Sequence, residues 1–456
     1  MKKPQYCLLA SIFALASIFA VSCSDNGGGI DPVKKSRVTG VSQKGPFVEG
    51  SKATLYELND RFEQTGRLFT DIITDNKGTF EIRNIELESP FAMLEVSGYY
   101  RNENTGKVSA APITLFAIAD VREKDQVNVN VLTHLEYYRV LNLAEKGMSV
   151  MEAKKQAQKE VFAVFGIDSK DFKDSEDMNI FGASESDAAL LAISVLLQGD
   201  LSEGDFSQRL TNISQAIKNG GSWDNEEAKK NIVRWAALVN TATIKNNILN
   251  WELSYVISTF EKYVTNYWPK YFDLGECNAE TEWTVKKAAN ISSIISEFPD
   301  DYSYVCKNGV WGHPNDIDKY CFESKSCEIF IDSRDGNKYR IEIKGTKNQT
   351  WMLDRIRYKN TGPNPYTEYN SLEDALIACP DGWRLPNDAE IEAITPSSDK
   401  SCDNFVRLVP NGVFWGNTNK RAFGCGSDGY ENAPSDWEFT KLDLADFSAP
   451  VYCVKE

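Results

Sequence analysis

The residues best suited to chemistry in this chain are its cysteines. Eight of the ten stand after residue 270: Cys277, Cys306, Cys321, Cys327, Cys379, Cys402, Cys425 and Cys453. Such a group can bind metal, supply a nucleophile or pair as disulfides. A zinc site would call for Cys-x-x-Cys pairs or histidines; the chain has no such pair, and its two histidines are His134 and His313. No Ser or Cys nucleophile motif accompanies His134, which is expected to pack or cap locally where a strand meets a helix. An even number of cysteines in an exported chain reads as up to four disulfides. Cys277 and Cys306 would staple a segment too small for its own core. Cys321 and Cys327 are close enough for a second local bridge, with connectivity left open. No metal, cofactor or catalytic residue is expected.

Other side chains offer weaker signals. Glycoside hydrolysis needs two carboxylates at a set separation, and among 66 acids nothing singles out a pair. The run from Asp332 to Asn337 lacks the spacing of a calcium loop and reads as a turn. Trp415, Tyr430 and Trp437 are candidates for a sugar-stacking platform, with core packing as the competing reading.

These side chains sit in a chain of 456 residues with formal net charge −16, ordinary globular composition and room for about three domains. So acidic a surface repels phosphate backbones, which argues against nucleic acid as a partner. Residues 1–22 read as a signal peptide: Lys2 and Lys3 precede an apolar run, Cys7 to Val21, that is short for a membrane span. Ala20-Val21-Ser22-Cys23 resembles a bacterial lipobox, although Ala20 departs from the usual Leu; plain secretion is the alternative. Cys23 is the expected lipidation site, and residues 23–36 are expected to form a flexible tether.

Residues 37–127 alternate apolar and polar positions around turn residues and are expected to be a β-sandwich. Residues 128–270 turn helical and suggest a bundle of about five helices. There Ser149 and Glu152 form a capping box, Ala153, Ala157, Val161, Phe162 and Phe165 share a face, and Gly166 stops the helix. Residues 271–325 form a small disulfide-containing segment with an Asn308-Gly309 hairpin turn. Residues 326–456 carry an α+β pattern: Tyr339, Ile341 and Ile343 alternate with charges, Leu372, Ala375 and Leu376 share one side of a short helix, and Asn387 with Glu390 caps another.

Two resemblances go with these regions. Gly45, Pro46, Gly50, Ala53, Leu55, Thr74, Asp75, Gly78 and Phe80 follow the theme of the carboxypeptidase-regulatory-like β-sandwich, whose modules usually act as spacers or stalks. Residues 326–456 resemble the Fibrobacter succinogenes major paralogous domain. The matching positions are Asp332, Arg334, Asp335, Gly336, Tyr339, Gln349, Trp351, Met352 and Tyr358, then Cys379, Pro380, Gly382, Trp383, Leu385, Pro386 and Glu390, and a closing Tyr452-Cys453-Val454-Lys455. Asp354 and Ile391 depart from that pattern, the latter replacing a usual Trp. The order of motifs is also similar to formylglycine-generating-enzyme-like domains and, more distantly, to C-type-lectin-like domains. That resemblance implies a Cys379–Cys453 disulfide with Cys402–Cys425 beside it. It also implies a lipid-anchored protein of the bacterial cell envelope, on the outer membrane and exposed at the cell surface. The expected function is binding of an extracellular ligand, polysaccharide or an envelope protein, without catalysis. A structural or assembly role in the envelope is the alternative, and an enzyme the third reading.

Overall fold

The computed structural model describes residues 32–253, 256–344, 348–359, 369, 371–394, 412–416, 420–423 and 450–456. The chain begins with seven strands: β1 (Val33–Gln43), β2 (Lys52–Leu58), β3 (Gln64–Ile72), β4 (Thr79–Leu87), β5 (Phe91–Gly98), β6 (Ile113–Asp120) and β7 (Val129–Asn130). They form two sheets, ordered β4-β1-β7 and β3-β2-β5-β6. All pairs are antiparallel except β1 with β7. The turn into β4 is built by Asp75, whose Oδ1 accepts the N–H groups of Lys77 and Thr79 at 2.9 and 3.1 Å. Gly78 follows at φ +78°, and a Cβ there would lie 2.3 Å from the Ser42 carbonyl oxygen, so only glycine fits. Within β4 the left-handed Asn84 (φ +55°) shifts the alternation by one, which is how Phe80, Ile82 and Ile85 all reach the core.

Val33–Ser36 do not belong to a tether. Val33 is buried and pairs with Leu87 at the start of β1, because an apolar residue opposite an apolar strand end gains more from burial than from solvent freedom.

Seven α-helices follow among the described residues, against about five expected: α1 (Val131–Glu145), α2 (Val150–Val164), α3 (Glu185–Gln198), α4 (Glu203–Gly220), α5 (Glu226–Leu238), α6 (Thr241–Leu249) and α7 (Glu261–Tyr267). Their starts are capped by Asn130, Ser149, Ser184, Ser202, Asn225 and Asn240 for α1 to α6 in turn, each accepting a first-turn N–H. At α2 the Ser149 hydroxyl donates to the Glu152 carboxylate at 2.7 Å. The face Ala153, Ala157, Val161, Phe162 and Phe165 is buried, and Gly166 sits at φ +71° just past the helix. Every residue of α3 from Ser186 to Gln198 is buried, so this helix is surrounded on all sides.

The next segment holds β8 (Val285–Lys287), β9 (Ser303–Lys307), β10 (Val310–Gly312) and α8 (Asp316–Ser324). Asn308 (φ +51°) and Gly309 (φ +78°) make the tight hairpin turn. Residues from both early sheets, the helices and this segment join one buried apolar cluster that runs from Val33 to Trp311. The expected boundaries at 127/128 and 270/271 therefore do not separate cores. Residues 271–311 are not a unit held by its disulfide alone: Phe272, Tyr304, Cys306 and Trp311 are part of the large core.

The C-terminal module contains β11 (Glu328–Ile331), β12 (Lys338–Lys344), β13 (Gln349–Met352), α9 (Leu372–Leu376), β14 (Trp383–Arg384), α10 (Asp388–Ile394), β15 (Gly412–Trp415), β16 (Lys420–Phe423) and β17 (Val454–Lys455). Five strands form one sheet, ordered β11-β12-β13-β17-β14, and β15 and β16 form a separate hairpin. A second, smaller core gathers Tyr339, Met352, Ile356, Tyr369, Trp383, Leu385 and Val451 among others. The protein is thus a multidomain chain of mixed α and β structure. No helix among the described residues is long and apolar enough to cross a membrane.

Candidate functional site

The cysteines resolve first. Cys277 pairs with Cys306, Cys321 with Cys327, and Cys379 with Cys453, with Cα separations of 5.3, 5.4 and 5.8 Å. The third bridge spans 74 residues and ties the end of α9 to the approach to β17. Cys23, Cys402 and Cys425 lie outside the described residues.

The run Asp332–Asn337 is a turn built for packing. The Asp332 N–H donates to the Asn337 carbonyl and the Gly336 N–H to the Asp332 carbonyl, both at 2.8 Å, and Gly336 takes φ +75°. The Arg334 guanidinium bonds both Asp332 carboxylate oxygens and then donates to the carbonyls of Ala378 (2.6 Å) and Cys379 (3.0 Å) just beyond α9. It lies 3.8 Å from the Tyr358 ring centroid. Burial works against ionisation of Asp332, yet the hydrogen bonds and charge of Arg334 hold its carboxyl below the ordinary range. Positions far apart in the motif thus meet to join the first turn of the module to its disulfide.

Glu390 and Asn387 cap α10 reciprocally, at 2.9 and 3.0 Å, and Arg384 grips the Glu390 carboxylate through two bonds. Trp383, Leu385 and Ile391 are buried. Leu376, expected to face inward with Leu372 and Ala375, is exposed, because α9 ends there after little more than one turn.

The alternation along β12 misleads. Tyr339 is buried as expected, but Ile343 is 64 % exposed whereas Arg340 and Glu342, on the face expected in solvent, are buried. That face is covered by α8 and Trp283. Arg340 donates to Asp318 on α8 at 2.5 Å and to Asp354 beside β13 at 2.9 Å, and its guanidinium lies 4.4 Å from the Trp283 ring centroid. Lys307 on β9 reaches the same Asp318 at 2.6 Å. Burial opposes the Arg340 charge, and the two carboxylates outweigh it, so its pKa is raised. Asp354 is half of this clamp. No local signal marks it: its partners come from three separate stretches of chain.

His134 lies inside α1, not at its cap, and stacks on Phe116 at 5.4 Å with no partner for Nδ1. Burial lowers its pKa to about 4, so it is neutral and sealed from solvent. His313 is exposed and meets the Tyr302 hydroxyl at 2.5 Å through Nδ1. Tyr302 stacks on Phe298 with centroids 4.2 Å apart and planes 4° from parallel, and both rings are half-buried. This aromatic group at the surface was not singled out by sequence, since the intervening Pro299-Asp300-Asp301 reads only as a turn. Trp415 stands at the end of β15; Tyr430 and Trp437 lie outside the described residues. Among the described residues no group of three or more His, Cys, Asp or Glu side chains is arranged to hold a metal ion.

Against known proteins, no family model, no curated protein and no solved structure matches this chain.

Proposed function

We propose that this chain is a lipid-anchored, non-enzymatic bacterial cell-surface protein that binds an extracellular ligand, with polysaccharide as the ligand class. The observation that carries the reading is the cysteine chemistry: every described cysteine is in a disulfide, which suits an oxidising compartment outside the cytoplasm. The leader expected over residues 1–22, just before Cys23, and the acidic balance agree with it. The two early sheets support reading residues 37–127 as the carboxypeptidase-regulatory-like β-sandwich. The motif contacts of Asp332, Arg334, Trp383 and Glu390 support reading residues 326–456 as a Fibrobacter major paralogous domain with a lectin-like or formylglycine-enzyme-like fold.

Sugar recognition would fall to exposed aromatic faces with hydrogen-bonding neighbours. Phe298 and Tyr302 beside His313 are a half-buried aromatic group at the surface that could meet a sugar on the sides left open, and Trp415 is the candidate on its hairpin. The test is retention of the full chain on insoluble cellulose and other glycans, with Phe298→Ala as comparison. Retention that falls about tenfold in the variant supports the reading; no retention on any glycan overturns the polysaccharide assignment and leaves an envelope assembly role. Labelling of cells with palmitate tests the anchor: label must appear on the wild type and vanish in Cys23→Ala.

A further inference from the structure

Lys44 and Glu103 form an ion pair with both side chains fully buried. Lys44 follows β1 and Glu103 lies beyond β5, 59 residues apart, and both meet Ser194 in the middle of α3. The Lys44 Nζ is 2.5 Å from Glu103 Oε2. Its other neighbours are aromatic, with the Phe206 and Tyr100 ring centroids at 5.3 and 5.5 Å. An ammonium carries three donors, and this one has a single oxygen to receive them. The Ser194 hydroxyl has two acceptors in reach, the Lys44 carbonyl oxygen at 2.5 Å and Glu103 Oε1 at 2.7 Å. Two buried charges with so few partners are costly, whereas an amide in the same place needs one acceptor and carries no charge.

We propose that Lys44 Nζ and Glu103 Cδ join in an intramolecular isopeptide bond after folding, cross-linking the end of β1 to the segment beyond β5 across α3. Burial is the largest influence on Lys44 and lowers its pKa, although the Glu103 carboxylate works the other way, so the ammonium gives up its proton more readily than an exposed lysine. A proton passes from the ammonium to Oε2, leaving an amine and a carboxylic acid. The nitrogen lone pair attacks Cδ and forms the C–N bond. Negative charge then gathers on Oε1, and the Ser194 hydroxyl 2.7 Å away turns its one proton to it from the Lys44 carbonyl. The Cδ–Oε2 bond breaks, and Oε2 leaves as water carrying the transferred proton and a second one from the nitrogen. Oε1 becomes the amide oxygen. The step is a condensation and needs no oxidant or cofactor.

Peptide mapping of the reduced, alkylated full chain with trypsin decides it. The expected product is the uncut peptide Val38–Lys52 joined to Asn102–Lys107, lighter than the two together by one water, in the greater part of the molecules. Recovery of Val38–Lys44 and Asn102–Lys107 as separate linear peptides in full yield overturns the proposal. Persistence of a branched peptide in Glu103→Ala would overturn the assignment to that side chain. The wild-type map stands whether or not that variant folds.

Discussion

The body up to Trp311 and the C-terminal module solve the same problem with different means. The body buries one apolar cluster large enough to enclose a whole helix, α3, with both sheets and the other helices around it. The module has a small core and adds a disulfide over 74 residues, the Arg334 cap on α9 and the Arg340 clamp onto α8. Apolar burial grows faster than surface as a domain enlarges, so a small unit needs staples that a large one can do without. Among the described residues of the body the one disulfide, Cys277–Cys306, joins a core that other residues already fill.

If that contrast is right, the largest loss should come from opening the module's long disulfide. Cys379→Ala with Cys453→Ala should cost about 4 kcal/mol on the chain-entropy model. Hydrogen exchange read by mass spectrometry should show amides of β12 and β13 losing protection while those of α3 keep it. A parallel loss in α3 would mean that body and module unfold as one and would break the contrast.

Arg340→Ala comes next, at about 3 kcal/mol, because it leaves the half-buried Asp354 without its cation and the buried Asp318 with Lys307 alone. Protection should fall in both α8 and β12, since the clamp lies between them. Adding Asp354→Asn should recover part of the loss; an effect confined to β12 would show that the clamp serves the module alone.

A smaller effect should appear in the body as pH dependence. Burial raises the Glu136 carboxyl from 4.5 to about 8, opposed by the Ser175 hydroxyl and reinforced by the neighbouring Glu176 charge. Its folded pKa is the higher one, so its contribution is complete below pH 4.5 and is lost as pH rises through about 8. His134 has the opposite sign and contributes fully only above pH 6.5, its unfolded value. Between pH 6.5 and 9 the Glu136 contribution therefore stands apart from that of His134, and urea unfolding should show the body losing about 2 kcal/mol. Glu136→Gln should remove that slope; an unchanged slope would place its origin elsewhere.

Local features of this protein could be read from neighbouring residues alone. The Ser149 cap, the buried face of α2, the Gly166 stop, the Asn308-Gly309 hairpin and the Asn387–Glu390 cap depend on interactions within a few positions. The short bridges at Cys277–Cys306 and Cys321–Cys327 could be proposed for the same reason, as the cysteines are near in the chain. Regions expected as separate units because their periodicity changes from two to nearly four turned out to share a core, since periodicity shows which face is apolar and not what that face meets. The buried charges were hidden for a related reason. Arg340 and Glu342 sit at positions that alternate like a solvent face, and Lys44 and Glu103 sit in ordinary loops. A charge tolerates burial only where a distant partner arrives with the right geometry. Sequence determined several caps and turns, the class of each region and the pairing of cysteines near one another; only the tertiary structure decided which charges are enclosed, because their partners lie tens of residues away and are chosen by packing.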